Sequence, residues 1–271
     1  VVTRAWQRRG GPVVLRAEPL DPRAVVVPVA GGGIDPVCAE RAQLETAIER
    51  LRFAIGIDYD PREFQRRFRS DRLVGPLLRR MPGFRPQRRP WAWEALAGAV
   101  VGQLIEADRA ARIERRIVGR WGPRAGAGQA ELRDVPGAAT IAGRAPAELT
   151  AMDLAPSRAA ALRRVAVAVA RGCDLDQPGC DRRLLAMPQI GPWTVQCLGL
   201  FGRGDMDSLP AGDLGYIKLV GRLAGLGRRA TVAEVEEFYA PYEPFRGLVG
   251  TLTLAGLYRL VAQGPPLRLS A

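Results

Sequence analysis

Histidine is missing from this chain of 271 residues, and Lys218 is its single lysine. The first absence removes the commonest nitrogen ligand of a protein-bound metal. The second leaves nearly all the positive charge on guanidinium groups, which keep their proton and fork onto phosphate oxygens but are poor amine nucleophiles. Cysteine is sparse, at Cys38, Cys173, Cys180 and Cys197. Cys173 and Cys180 have a C-x6-C spacing that opens some iron–sulfur loops, yet no C-x2-C follows. The expectation is no metal, no cofactor and free thiols in a reducing compartment. No apolar run approaches the roughly eighteen residues of a membrane span. The arginines of the first eleven residues lead into no apolar stretch, so a secretory signal is not expected either. These absences describe a cytoplasmic protein without a membrane partner.

Positive charge is abundant instead. Forty basic residues stand against twenty-eight acidic ones, a formal net charge of +12 and a pI near 10.7. Such a surplus draws in polyanions, nucleic acid above all. Solvated arginine faces are the alternative that charge alone leaves open. Hydrophobic residues at 47% and charged ones at 25% suit a globular chain long enough to bury a core.

The organisation changes along the chain. Val13 to Ala17 and Ala24 to Ala30 are β-branched runs separated by Pro19, Asp21 and Pro22, which predicts paired strands. Gly31-Gly32-Gly33 ends that pattern. Asp35 and Pro36 then suit the N-cap and first position of a helix running to about Ala54. From about Pro61 nearly everything reads as helix. Trp93, Leu96, Ala97 and Val100 form one apolar stripe; Leu162, Val165 and Val169 repeat the period, as do Leu254, Leu257 and Val261. Breaks are predicted at Pro82-Gly83, Gly122 to Gly128, Pro136-Gly137 and Pro178-Gly179. The division expected is an α+β segment over 1–72 and a helical body over 73–271.

Two stretches carry chemistry. In Leu184-Leu185-Ala186-Met187-Pro188-Gln189-Ile190-Gly191-Pro192-Trp193-Thr194 a helix ends, a tight turn buries Ile190, and a new helix starts at Pro192. A turn of this kind aims successive backbone N–H groups outward beside a helix N-terminus, where a phosphate can sit; an ordinary αα-hairpin is the plainer alternative. Twenty residues beyond Trp193, the run Asp207-Ser208-Leu209-Pro210-Ala211-Gly212-Asp213-Leu214 sets Asp213 at the start of another helix, where aspartate is a common cap.

Taken together, Pro-x-Ile-Gly-x-Trp-Thr followed by Leu-Pro-x-x-Asp-Leu resembles the helix-hairpin-helix DNA glycosylase superfamily, and within it the 3-methyladenine DNA glycosylase II branch. Trp93-Glu94-Ala95-Leu96 through Val101-Gly102-Gln103-Leu104, and Pro244-Phe245-Arg246, resemble the same branch, so the likeness covers about Arg80 to Leu260. The fold it implies is mostly α: a helix-hairpin-helix glycosylase-like body, with its cleft between two helical lobes, and a small N-terminal α+β segment.

The resemblance implies a monofunctional enzyme that hydrolyses the N-glycosidic bond of alkylated purines, N3-methyladenine in type, in duplex DNA carrying a damaged base, as a monomer. Asp213 matches the catalytic carboxylate. Trp193 and Tyr216 are the expected pocket rings. Leu104, after Gln103, matches the side chain wedged into the gap left by an extruded base. Gln189, Ile190, Gly191 and Thr194 belong to the hairpin that grips the backbone, and Lys218 is a candidate phosphate contact. Superfamily members that also cut the strand use a hairpin lysine for a Schiff base; Trp193 occupies that position here. Asp205 and Asp207 read as loop or capping residues. Gln189 stands where the hairpin usually has glycine, which strains the backbone if φ is positive there. Cys197 and Leu254 occupy positions where the branch implies rings, with Trp91, Trp93 and Tyr242 as further aromatic candidates. Two alternatives follow: a glycosylase for a deaminated, oxidised or bulky lesion, or a DNA-binding protein without catalysis.

Overall fold

The computed structural model describes residues 2–8, 11–20, 23–28, 38–125, 132–177 and 179–263. Three strands open the chain, β1 (Val2–Arg8), β2 (Gly11–Leu20) and β3 (Arg23–Pro28). Among the described residues thirteen α-helices follow: α1 (Cys38–Ile55), α2 (Arg62–Phe68), α3 (Val74–Arg80), α4 (Ala92–Gly102), α5 (Ala107–Trp121), α6 (Ala138–Ala142), α7 (Pro146–Thr150), α8 (Pro156–Ala170), α9 (Cys180–Leu185), α10 (Pro192–Cys197), α11 (Leu214–Leu223), α12 (Val232–Tyr239) and α13 (Arg246–Gln263). A two-stranded ribbon, β4 (Arg124–Ala125) with β5 (Leu132–Arg133), joins α5 to α6, and a π-helical stretch (Leu198–Arg203) continues α10. The protein is mostly helical, as its sequence predicts. Among the described residues no helix is long and apolar enough to cross a membrane.

The chain forms two compact units, each assembled from separated stretches: Val1–Asp58 with Arg89–Ile190, and Tyr59–Arg88 with Gly191–Ala271. In the first, the strands make an antiparallel meander in the order β1-β2-β3, with Ala5 opposite Val14 and Ala17 opposite Val26. β2 and β3 were predicted; β1 was not, because Arg4, Gln7 and Arg8 blur its alternation. The predicted glycine break at 31–33 and the cap at Asp35-Pro36 lie outside the described residues. The helices pack through α4, whose Ala92, Ala95, Leu96, Ala99, Val100 and Val101 are all buried, a wider apolar face than one stripe. Leu162 and Val165 of α8 meet this core, while Val169 is half-buried.

One expectation is corrected in this unit. Cys173 and Cys180 are joined by a disulfide, both ends buried, instead of standing as free thiols. The turn after α8 closes on itself: the Cys173 N–H donates to the Ala168 carbonyl and the Cys180 N–H to that of Gln177, which brings the two Cα atoms to 6.5 Å. C-x6-C spacing alone does not reveal that reversal.

The second unit is built on α13. Its deepest residues are Leu248, Val249 and Leu252, one turn ahead of the predicted stripe, where Leu254 and Leu257 are only half-buried. α3 and α11 both pack on this helix. Phe64 and Phe68 of α2 meet Phe245 edge-on, with ring centroids 5.5 and 6.1 Å away, and Tyr216 meets Tyr239 at 5.8 Å. Such contacts add about 0.5–1.5 kcal/mol each to the burial of the rings.

Candidate active site

Asp213 is placed by a turn that the second unit holds from several sides. Pro210 and Gly212 keep the chain out of helix after Leu209, and the Asp213 N–H donates to the Pro210 carbonyl at 2.8 Å. Asp213 is then the N-cap of α11 with φ −67° and ψ 133°, its Oδ1 accepting the Gly215 N–H at 2.7 Å. Asp213 is half-buried, and no hydrogen bond to its other oxygen is found among the described residues.

The start of α13 anchors the same turn. Asp207 accepts hydrogen bonds from the backbone N–H and the guanidinium of Arg246, and the Leu248 N–H donates to the Met206 carbonyl at 2.9 Å. Burial raises the Asp207 carboxyl, but these bonds outweigh it and hold the group below its ordinary range. Asp207 is thus a structural brace, as its reading as a loop or capping residue implies. Gly247 makes the close approach possible: a Cβ there would stand 2.2 Å from the Ser208 carbonyl oxygen. Ser208 in turn donates its hydroxyl to the Gln196 carbonyl, just before the π-helical stretch.

Three side chains lie close to this turn within the unit. Trp193 packs on the turn, its Cβ 3.6 Å and Cδ1 3.8 Å from where a Gly212 side chain would begin. Its indole is half-buried, and its Nε1 has no hydrogen-bond partner among the described residues. Leu254 reaches the Gly215 position at 3.2 Å. Cys197 is buried; burial first, and then the nearby charge of Asp213, push its thiol up. It is a wall of the site and not a thiolate. Apolar neighbours of this kind lower the local dielectric and strengthen the field of the carboxylate.

The turn between α9 and α10 has the shape its sequence suggests. Ile190 is buried and donates its N–H to the Met187 carbonyl, while the N–H groups of Thr194 and Val195 converge on the Gly191 carbonyl. Gln189 takes φ +68°, the left-handed conformation that glycine prefers. Among the described residues no backbone acceptor takes the N–H of Gln189 or of Gly191, and nothing lies within 4 Å of the open side of Gly191.

At the end of α4, Gln103 donates its side-chain amide to the Gln189 carbonyl at 2.8 Å. The next residue, Leu104, is fully exposed and has φ +57°. A branched side chain held in the left-handed region and bare to solvent is not a core leucine, and such conformations cluster where function demands them. Arg158, which sequence reading missed, holds this loop from beneath. It is buried and donates to the Val101 and Gln103 carbonyls at 3.0 and 3.1 Å. No motif marks it, because one arginine among thirty-nine gives no signal until the loop above it is seen.

Five of the predicted side chains meet a different placement. Tyr216 is 2% exposed and packed edge-on in the core against Tyr239, since the third residue after the Asp213 cap points inward. Thr194 is also buried, with its N–H committed to Gly191, so it secures the turn and leaves no side chain for a phosphate. Tyr242 packs on Phe68 and reaches Asp71, while Trp93 donates to the Pro136 carbonyl at 3.0 Å and lines a small internal cavity. Trp91 stacks under Arg50 at 4.7 Å. Lys218 is half-buried in α11.

Known proteins are similar to this chain in sequence and in fold. A Mycobacterium tuberculosis protein described as a probable bifunctional transcriptional activator/DNA repair enzyme AlkA is 28% identical over 233 residues, which is 82% of this chain. The chain spans only 45% of that relative's length. Among solved structures, the 3-methyladenine DNA glycosylase of Archaeoglobus fulgidus superposes with a TM-score of 0.79 over 94% of this chain and 87% of its own, at 22% identity. The 8-oxoguanine glycosylase/lyase of Clostridium acetobutylicum gives a TM-score of 0.75 over 95% and 88% at 12% identity. No family model matches the chain. The chain thus has the fold of these glycosylases and is similar in sequence to the relative described as AlkA.

Proposed function

We propose that this chain is a monofunctional DNA glycosylase that removes alkylated purines, N3-methyladenine in type, from duplex DNA and so begins base excision repair. The observation that carries the proposal is Asp213: a half-buried carboxylate on a braced helix cap, with Trp193, Cys197 and Leu254 close to its turn.

Alkylation at a ring nitrogen makes the base cationic and hence a better leaving group. The Trp193 face attracts such a cation by about 0.5–2 kcal/mol. As the C1′–N bond breaks, the bonding pair leaves with the base, which departs neutral, and positive charge builds on the sugar as in other glycoside cleavages. A carboxylate at about 4 Å offsets that charge by about 4 kcal/mol at an effective dielectric of about 20. Water then adds to C1′ and gives its proton to Asp213. Leu104 is the wedge that fills the gap of the extruded nucleotide, an extrusion that costs a few kcal/mol. The N–H groups of Gln189 and Gly191, which donate to no backbone acceptor among the described residues, take a backbone phosphate. With Trp193 where a Schiff-base lysine would stand, no strand cleavage follows base loss, and borohydride should trap no covalent complex.

A second reading is favoured by one observation, that the carboxylate's walls are Cys197 and Leu254 where rings are expected: the preferred lesion is then a deaminated, oxidised or bulky base. Duplexes carrying each lesion, scored for free base, separate the two. Release of N3-methyladenine or N7-methylguanine supports the first; release of another base alone replaces it with the second. If no base is released from any duplex, binding without catalysis is what remains.

A further inference from the structure

The arginines of this chain are not spread evenly. Between Tyr59 and Arg88 stand nine arginines against three carboxylates, a surplus of six out of the chain's twelve. α2 presents Arg62 and Arg66, and its C-cap adds Arg69, so the three fall at i, i+4 and i+7 on one face. α3 contributes Arg79. These four exposed arginines, with Gln65 and Ser70, line one open depression of about 710 Å³. Its shape depends on Gly75, where a Cβ would stand 2.5 Å from the Arg69 carbonyl oxygen; only glycine lets α3 begin so close to the end of α2.

Two of the three carboxylates of this segment are engaged, and the third, Glu63, does not line the depression. Asp71 accepts the N–H groups of Leu73 and Val74 at 2.9 and 2.7 Å, which caps α3, and Asp60 is paired with Arg62. No carboxylate lines the depression, and among the described residues Arg66, Arg69 and Arg79 enter no ion pair. Three guanidinium groups are thus gathered in one place without a protein counter-ion.

We infer that this face binds the phosphodiester backbone of duplex DNA, as a contact separate from the hairpin and from Asp213; none of the residues assigned to that site lines it. Guanidinium forks match phosphate oxygens, two bonds at a time. From Arg62 to Arg69 the helix rises about 10 Å, the length of about three phosphates along one strand at about 3.4 Å each. No aromatic ring lines the depression, so it lacks the stacking platform that single strands use. Leu78, its one large apolar lining residue, is buried, so it also lacks the apolar anchor of a protein interface. The inference rests on this charge layout and not on the proposed chemistry, so either can fail without the other.

The test is equilibrium binding to an undamaged duplex across a salt series, a readout that does not involve base release. The triple variant R66A/R69A/R79A is compared with R112A/R115A/R120A, which removes the same charge from exposed positions on α5. Losing three phosphate contacts should flatten the slope of log K against log salt by about 2–3, and lower affinity tenfold or more at low salt. The α5 triple should change the slope by less than about 1. R66K/R69K/R79K, which keeps the charge, should stay near wild type, and equal thermal midpoints exclude misfolding. A wild-type slope in the first triple, or equal flattening in both, overturns the inference. So does poly-glutamate displacing the duplex as well as a competing duplex does at equal charge.

Discussion

The loop that carries Asp213 and the loop that carries Leu104 are both short connections at helix ends, yet they are built on opposite principles. Asp213 has ordinary extended backbone angles, and its turn is tied to the start of α13 by Asp207, Met206 and Gly247. Leu104 and Gln189 hold left-handed angles without being glycine, and their side chains are exposed. One loop fixes a charge where small displacements would weaken its field. The other keeps strained groups at the surface, held by the hydrogen bonds of Arg158 and Gln103. Under the proposed function, chemistry that depends on distance suits the first design and prying apart a base stack suits the second.

That contrast can be broken by substitution. The largest effect is expected for Asp213→Asn, which should lower single-turnover base release by about a thousandfold, the equivalent of about 4 kcal/mol, while binding of lesion duplex changes only a few-fold. Unchanged turnover would remove Asp213 from its assigned role. Gly247→Ala comes next. The Ser208 carbonyl must move, so urea melts should show a loss of about 3 kcal/mol, with base release falling in parallel. If activity survived that loss intact, the brace would not be what positions the carboxylate.

On the other loop the effects should be smaller and differ in kind. Arg158→Met leaves the Val101 and Gln103 carbonyls without their buried donor. A destabilisation of about 1–3 kcal/mol is expected, and base release should fall about tenfold with Asp213 untouched. Gln189→Gly has the opposite sign. It relieves a positive φ and should stabilise the protein by up to about 1 kcal/mol. A destabilising outcome in thermal melts would show that Gln189 is not strained there.

Much of this was legible in the sequence, for reasons that are local. Asp213 follows Pro210 and Gly212, so its place at a helix start is fixed by neighbouring residues. The Gln189 turn is likewise bounded by Pro188 and Pro192. Tyr216 and Thr194 were misplaced because motif spacing fixes position along a helix but not which side meets the core. That side is set by partners distant in sequence: α13 and Tyr239 for Tyr216. Arg158 was illegible for the same reason, since its acceptors lie 55 and 57 residues away. The disulfide depends on a turn whose hydrogen bonds no spacing rule predicts.

The interleaving of the second unit has a consequence during synthesis. α2 and α3 leave the ribosome with Phe64, Phe68 and Leu77 ready to be covered, but the helix that covers them begins about 170 residues later. At about 5–20 residues per second that is a wait of roughly ten to thirty seconds. Throughout that interval the apolar side of α2 and α3 stands without the partner that buries it in the finished unit, so the order of synthesis makes these two helices the last of the early elements to gain their core.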